Sequence, residues 1–234
     1  MKKQVGFYTS KERRLLTDIY MPQGQAKAPI IAVHGMWGSS RRMENYGNFF
    51  SARGHLFIAA NLRGHGGSWE PKNLGEVSLL DYIDDVKNLI DYSAVEITGA
   101  WDPILLGHSM GGLIVQRVAE SFPVRGLILL NSAPPNGIKI FRATNPCSWR
   151  LAIAQSKYYF RSLRRWKAFK PNFEDARRFI MNGIPSQAHQ KYYAGFNEES
   201  GRAAKEILEG CVTVNANAIE CPVLVVGCQN ARIT

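Results

Sequence analysis

Short apolar runs alternate with amphipathic stretches through the first 136 residues. Leu15 to Met21 alternates apolar and polar side chains as a half-buried strand does, and a Pro-Gln-Gly turn follows it. Pro29 to Val33 is an unbroken apolar run, the form expected of a parallel strand covered on both faces. Arg41 to Arg53 predicts a helix closed by Gly54, and His55 to Ala60 another strand. Between Ser78 and Tyr92, Leu79, Tyr82, Ile83, Val86, Leu89 and Ile90 share one helical face. Pro103 to Gly107 reads as a strand, Gly112 to about Phe122 as a helix, and Gly126 to Leu130 as the next strand. Such alternation predicts the α/β class, a doubly wound, mostly parallel sheet with helices on both faces.

The pattern changes at Gly137. Arg150 to Phe169 and Phe173 to Asn182 predict basic, aromatic-rich helices, the second stopped by Gly183 and Pro185. No strand pattern returns before Cys221 to Gly227. The expected organisation is a first core part over 1–136, a helical cap insertion over 137–205, and a return to the core over 206–234. Charge follows the same division. The formal net charge is +10, and the whole surplus lies between Gly137 and Lys205, where 14 Lys and Arg face 4 Asp and Glu.

Composition narrows the classes further. At 234 residues the chain can bury one substantial core, and its 45% hydrophobic content is that of a globular domain, not a disordered or fibrous one. No apolar run is long enough to span a membrane. The N-terminus carries basic residues with no apolar segment behind them, so a cytoplasmic location is the default expectation. Cys147, Cys211, Cys221 and Cys228 have neither C-x-x-C spacing nor a paired histidine, which favours reduced structural thiols over metal or disulfide use.

The candidate chemistry lies in Gly107-His108-Ser109-Met110-Gly111, between the apolar strand and its following helix. A serine at so tight a strand-to-helix turn is held in a strained conformation with its hydroxyl lifted clear of the sheet. Glycine two residues to either side is expected because a β-carbon there would meet the neighbouring chain.

Three motifs occur in order: His34-Gly35-Met36-Trp37-Gly38, then Asn61-Leu-Arg-Gly-His-Gly-Gly-Ser68, then the serine turn. With Pro222 to Gly227 as a late strand, the chain resembles the α/β-hydrolase superfamily. It is most similar to the capped branch of lysophospholipases, monoglyceride lipases and small esterases. The resemblance implies Ser109 as nucleophile, backbone amides of Met36 and Met110 as oxyanion donors, and neither a metal nor an organic cofactor. It makes His65 part of a structural turn. His34 and His108 flank the site, but neighbours of a strand end or of the serine turn are expected to point away from it, and His55, opening a strand, reads as a packed or exposed histidine.

The family order of Ser, then acid, then His breaks in this sequence. The acid position is occupied by Asn230, an amide that cannot stabilise an imidazolium as a carboxylate does, and no histidine follows it. Three explanations stand open at this level: a piece of a longer hydrolase, a short protein that has lost hydrolysis, or a base from elsewhere such as His189 or another subunit.

The expected partner is a small acyl ester (a lipid-like ester, lactone or thioester), anionic or lipid-like. Trp149, Tyr158, Tyr159, Phe160, Trp166 and Phe169 lie among Lys157, Arg161, Arg164, Arg165, Lys167 and Lys170. That stretch reads either as an acyl-binding roof with outer cations drawn to a lipid surface, or as a solvated basic face over a core stripe. Peripheral membrane contact is left open, and nucleic-acid binding is not expected. A silent acyl-binding protein and a cofactor-free perhydrolase or acyltransferase are the alternatives to hydrolysis.

Overall fold

The computed structural model describes residues 1–10, 12–99, 102–138 and 166–229. Asn230, Cys147 and the basic aromatic stretch from Trp149 to Arg165 lie outside the described residues.

Among the described residues nine strands are numbered in chain order. Seven of them are β1 (Lys2–Ser10), β2 (Arg13–Tyr20), β3 (Lys27–Val33), β4 (His55–Ala60), β5 (Ile104–His108), β6 (Gly126–Leu130) and β9 (Val223–Val226). These seven form one sheet in the order β1-β2-β4-β3-β5-β6-β9. The β1–β2 and β2–β4 pairs are antiparallel, and every pair from β4 through β3, β5 and β6 to β9 is parallel. The alternation of β3 explains the layering. Ile31 and Val33 face a core shared with Leu89 and Val86 of α2 (Leu79–Ser93) and Leu113 and Val118 of α3 (Met110–Ala119). Ile30 and Ala32 face the other side with Met43 and Phe50, the latter in α1 (Glu44–Ser51).

Helix α2 starts where its sequence dictates. Ser78 accepts a hydrogen bond from the Asp81 amide while the Asp81 carboxylate accepts from the Ser78 amide, a reciprocal cap. The same helix anchors the Asn61–Ser68 loop, because the buried Arg63 guanidinium forks onto Asp85 (Nη2–Oδ1 2.7 Å) and reaches Asp81.

Three features depart from the sequence reading. Strand β1 precedes the first expected strand; its side chains are mostly exposed, with only Phe7 buried, so no apolar run announced it. Ala168–Phe169 is a strand, β7, not the end of a helix. It pairs antiparallel with β8 (Glu199–Ser200), so strand structure returns before Cys221. Two-residue strands are too short to show a period of two.

The β7–β8 ladder is stapled to the main sheet's helical layer. Ser200 Oγ donates toward the carbonyls of Gly75 (3.0 Å) and Val77 (2.5 Å), and Glu206 of α4 (Gly201–Leu208) accepts from the Leu79 amide (2.8 Å). A β-carbon on Gly75 would lie 2.4 Å from the Trp166 carbonyl oxygen, so backbone meets backbone at this joint. Strand β9 is exposed along all four residues. Among the described residues, no helix is long and apolar enough to cross a membrane.

Candidate active site

Ser109 sits between the last residue of β5 and the first of α3 with φ 51° and ψ −118°. These are the mirror-image angles that tight turns normally give to glycine. The surroundings enforce them. The Ser109 amide donates to the Leu130 carbonyl (3.0 Å), and the Ser109 carbonyl accepts from Gly112 (2.9 Å) and Ala133 (2.8 Å). A β-carbon on Gly107 would lie 2.4 Å from the Gly111 carbonyl oxygen, and one on Gly111 would lie 2.3 Å from that of Val33. Both glycines of the pentapeptide are therefore there for close backbone approach, as its spacing predicts. Ser109 is half-buried and its hydroxyl does not cap α3, so it is not consumed by the helix it precedes.

The loop after β3 lies against this turn. A β-carbon on Gly35 would come within 2.9 Å of both the Ser109 Cβ and the His108 ring. Gly35 to Gly38 closes as a β-turn, with the Gly38 amide on the Gly35 carbonyl at 3.1 Å and Trp37 at φ 59°. Positive φ for a tryptophan is strained and must be held from outside. Its indole is buried among Phe169, Ala176, Met181, Phe196 and Ala204. The Asn197 amide donates to the Trp37 carbonyl (2.9 Å), Asn197 Nδ2 donates to the Gly38 carbonyl (2.7 Å), and the Trp37 amide donates to Glu199 Oε2 (3.4 Å). Among the described residues, the Met36 and Met110 amides donate to no protein acceptor. These amides belong to the two segments that meet at Ser109, the turn after Gly35 and the first turn of α3.

Glu199 is fully buried. Its Oε1 accepts from Tyr82 Oη and the Ser200 amide, both at 2.7 Å, and its Oε2 lies 3.3 Å from His65 Nε2. Burial alone would neutralise Glu199, but His65, Tyr82 and the Ser200 amide outweigh it and hold the carboxyl below its ordinary range. Burial likewise opposes charge on His65, and the Glu199 carboxylate overcomes it and raises the imidazole. Each group thus favours the charged form of the other. The His65 contribution to stability is complete below about 6.5 and lost as pH rises through its raised value, whereas that of Glu199 is complete above about 4.5 and lost as pH falls.

His34, 5.0 Å away ring to ring, behaves oppositely. It is buried, its Nδ1 lies 2.9 Å from the Gly35 carbonyl, and its Nε2 accepts from the Leu62 amide at 3.4 Å. Burial and the nearby His65 push it down to about 3. A histidine kept neutral by the fold stabilises it above the unfolded value of 6.5, and that contribution drains as pH falls toward 3. Urea unfolding should therefore show His34 costing about 2 kcal/mol between about pH 6.5 and 5, at ~1.4 kcal/mol per unit. His34→Gln should flatten that slope; parallel curves for the two proteins would refute the assignment.

The other sequence-nominated groups are dispersed. His108 is exposed beside Gly35, His55 Nδ1 lies 2.8 Å from the Ala28 carbonyl, and His189 Nε2 lies 2.7 Å from the Ile184 carbonyl. Among the described residues, none of the five histidines hydrogen-bonds Ser109. Sequence reasoning missed Asn197 and Glu199, because Asn-Glu-Glu-Ser reads as a solvated loop. The one available signal was Tyr82 on the buried face of α2, a phenol that needs a partner inside.

A family model, Hydrolase_4, described as serine aminopeptidase S33, matches residues 24–234. The chain is 28% identical over 121 residues to a monoacylglycerol lipase of Mycolicibacterium smegmatis, a match covering 52% of this chain and 42% of that protein. It is 38% identical over 114 residues to the AB hydrolase superfamily protein YisY of Bacillus subtilis, covering 46% of this chain and 38% of the relative. The matches thus span less than half the length of these relatives. Among solved structures, a thermophilic esterase from Thermogutta terrifontis superposes with TM-score 0.67 at 19% identity, covering 99% of this chain and 82% of that one. A point mutant of the N-acyl homoserine lactonase AidH, complexed with N-hexanoyl homoserine, superposes with TM-score 0.67 at 15% identity, covering 99% and 80%. These superpositions establish the fold.

Proposed function

Because this chain belongs to the Hydrolase_4 (serine aminopeptidase S33) family of α/β-hydrolases, we propose that it acts on a carboxylic ester through Ser109. The observation that carries this reading is the strained Ser109, with the free amides of Met36 and Met110 in the two segments that meet there. The substrate class we infer is a lipid-like ester, lactone or thioester, in keeping with a monoacylglycerol lipase relative and esterase and lactonase fold neighbours.

In the proposed step Ser109 Oγ bonds to the carbonyl carbon, and the displaced π pair moves onto oxygen, facing the Met36 and Met110 amides. Collapse breaks the ester C–O bond. The base that took the Oγ proton on attack returns it to the departing alcohol, and water then hydrolyses the acyl-serine, giving the acid and the free serine. Residues 137–205 are proposed as a cap over the site, with Trp37 buried in its described part. A second reading, a silent acyl-binding protein, is favoured by one observation: no histidine hydrogen-bonds Ser109 among the described residues.

A fluorophosphonate probe separates the two. Covalent labelling of the folded chain, mapped to Ser109 and absent from Ser109→Ala, supports the nucleophile. Folded wild-type protein that takes no label supports the silent binder.

A further inference from the structure

Among the described residues Glu199 and Asn197 hydrogen-bond neither Ser109 nor the two free amides, yet both hold the loop that carries Met36. The turn Gly35–Gly38 contains a tryptophan at φ 59°, a conformation an isolated loop would relax. Three hydrogen bonds oppose that relaxation, and all come from one short stretch: the Asn197 amide to the Trp37 carbonyl, Asn197 Nδ2 to the Gly38 carbonyl, and the Trp37 amide to Glu199 Oε2. The stretch itself is immobilised. Ser200 is tied to Gly75 and Val77, the β7–β8 pair fixes Glu199 in register with Phe169, and the Glu199 carboxylate is gripped by Tyr82 and His65.

We propose that Glu199 and Asn197 are positioning residues that lock the Met36–Gly38 turn in its oxyanion-receiving geometry, so that docking of the 166–206 segment on the sheet completes the site. The inference rests on the Ser109 reading and extends it. Glutamine cannot replace Glu199 quietly. The carboxylate accepts three hydrogen bonds, from Tyr82, Ser200 and Trp37, and its Oε2 lies 3.3 Å from His65 Nε2. An amide offers one acceptor oxygen, so whichever way it turns, its NH₂ confronts either the Ser200 or the Trp37 amide.

The test is the second-order rate of fluorophosphonate labelling in wild type, Glu199→Gln and Asn197→Ala, together with the ³¹P chemical shift of the Ser109 adduct and the unfolding temperature. Asn197 is only half-buried, so its truncation leaves a folded chain even where the buried Glu199 change does not. Deleting one oxyanion donor costs about 10²–10³-fold, and a loosened donor is expected to cost roughly 10-fold. Labelling about 10-fold slower, with the ³¹P resonance displaced toward that of the denatured adduct and the unfolding temperature of Asn197→Ala little changed, bears the proposal out. A purely structural role would shift the unfolding temperature and leave the ³¹P resonance of the folded adduct in place. If wild type labels and the folded variants label equally fast with an unmoved resonance, the proposal falls alone. A wild-type chain that takes no label removes the Ser109 reading and the proposal with it.

Discussion

Ser109→Gly is expected to unfold at a higher temperature than the wild-type chain while losing all phosphonate labelling. At φ 51° and ψ −118° a residue with a β-carbon carries strain that glycine does not. Such backbone outliers cost about 1–3 kcal/mol, and glycine returns about 0.5–1 kcal/mol of that as added freedom in the unfolded chain. The balance is a gain of about 1 kcal/mol, or roughly 2–4 °C for a chain of this size. Three backbone hydrogen bonds to Leu130, Gly112 and Ala133 hold the position whatever its side chain, so the substitution leaves the turn intact. Calorimetry beside a labelling gel reads both effects. A Ser109→Gly protein no more stable than wild type would mean that the strain is not stored at this residue.

Gly111→Val should do the opposite and prevent the fold from closing. Here the reason is steric, since Gly111 lies in the first turn of α3 and its φ is not positive. Its added β-carbon would stand 2.3 Å from the Val33 carbonyl oxygen and 2.6 Å from that of His34. Both obstacles are backbone of β3 and the loop after it, pinned by parallel pairing to β4 and β5, so neither can rotate aside. Overpacking a well-filled interior costs typically 1–3 kcal/mol and occasionally more, and an unyielding backbone places this case at ~3 kcal/mol or beyond. Urea unfolding should show a collapsed midpoint or little soluble protein. Gly183, where an added β-carbon would meet nothing within 4 Å, is the control and should accept alanine with little change. A Gly111→Val chain as stable as that control would overturn the close-approach argument.

The two substitutions mark what was legible before any coordinates. Apolar runs at Pro29 to Val33 and Pro103 to Gly107, the amphipathic face of Ser78 to Tyr92 and the glycine spacing around Ser109 are local signals, each written within a window of a few turns. They foretold the α/β class and the strained serine, because periodicity and glycine placement report directly which face is buried and where backbone must pass close. Strand β1 escaped because an edge strand with a single buried side chain, Phe7, has no face to advertise. Strands β7 and β8 escaped because two residues cannot show alternation.

The sequence by itself determined the order of the strands and helices from β2 to β6 and the position of the serine turn. Tertiary structure alone decided that Glu199, one of two adjacent acidic residues beside an ordinary-looking Asn197, would be buried against His65 and Tyr82 under a loop 162 residues earlier in the chain. The physical reason is that a carboxylate's worth depends on what desolvates and pairs it, and here every partner except the adjacent Ser200 amide comes from a distant segment.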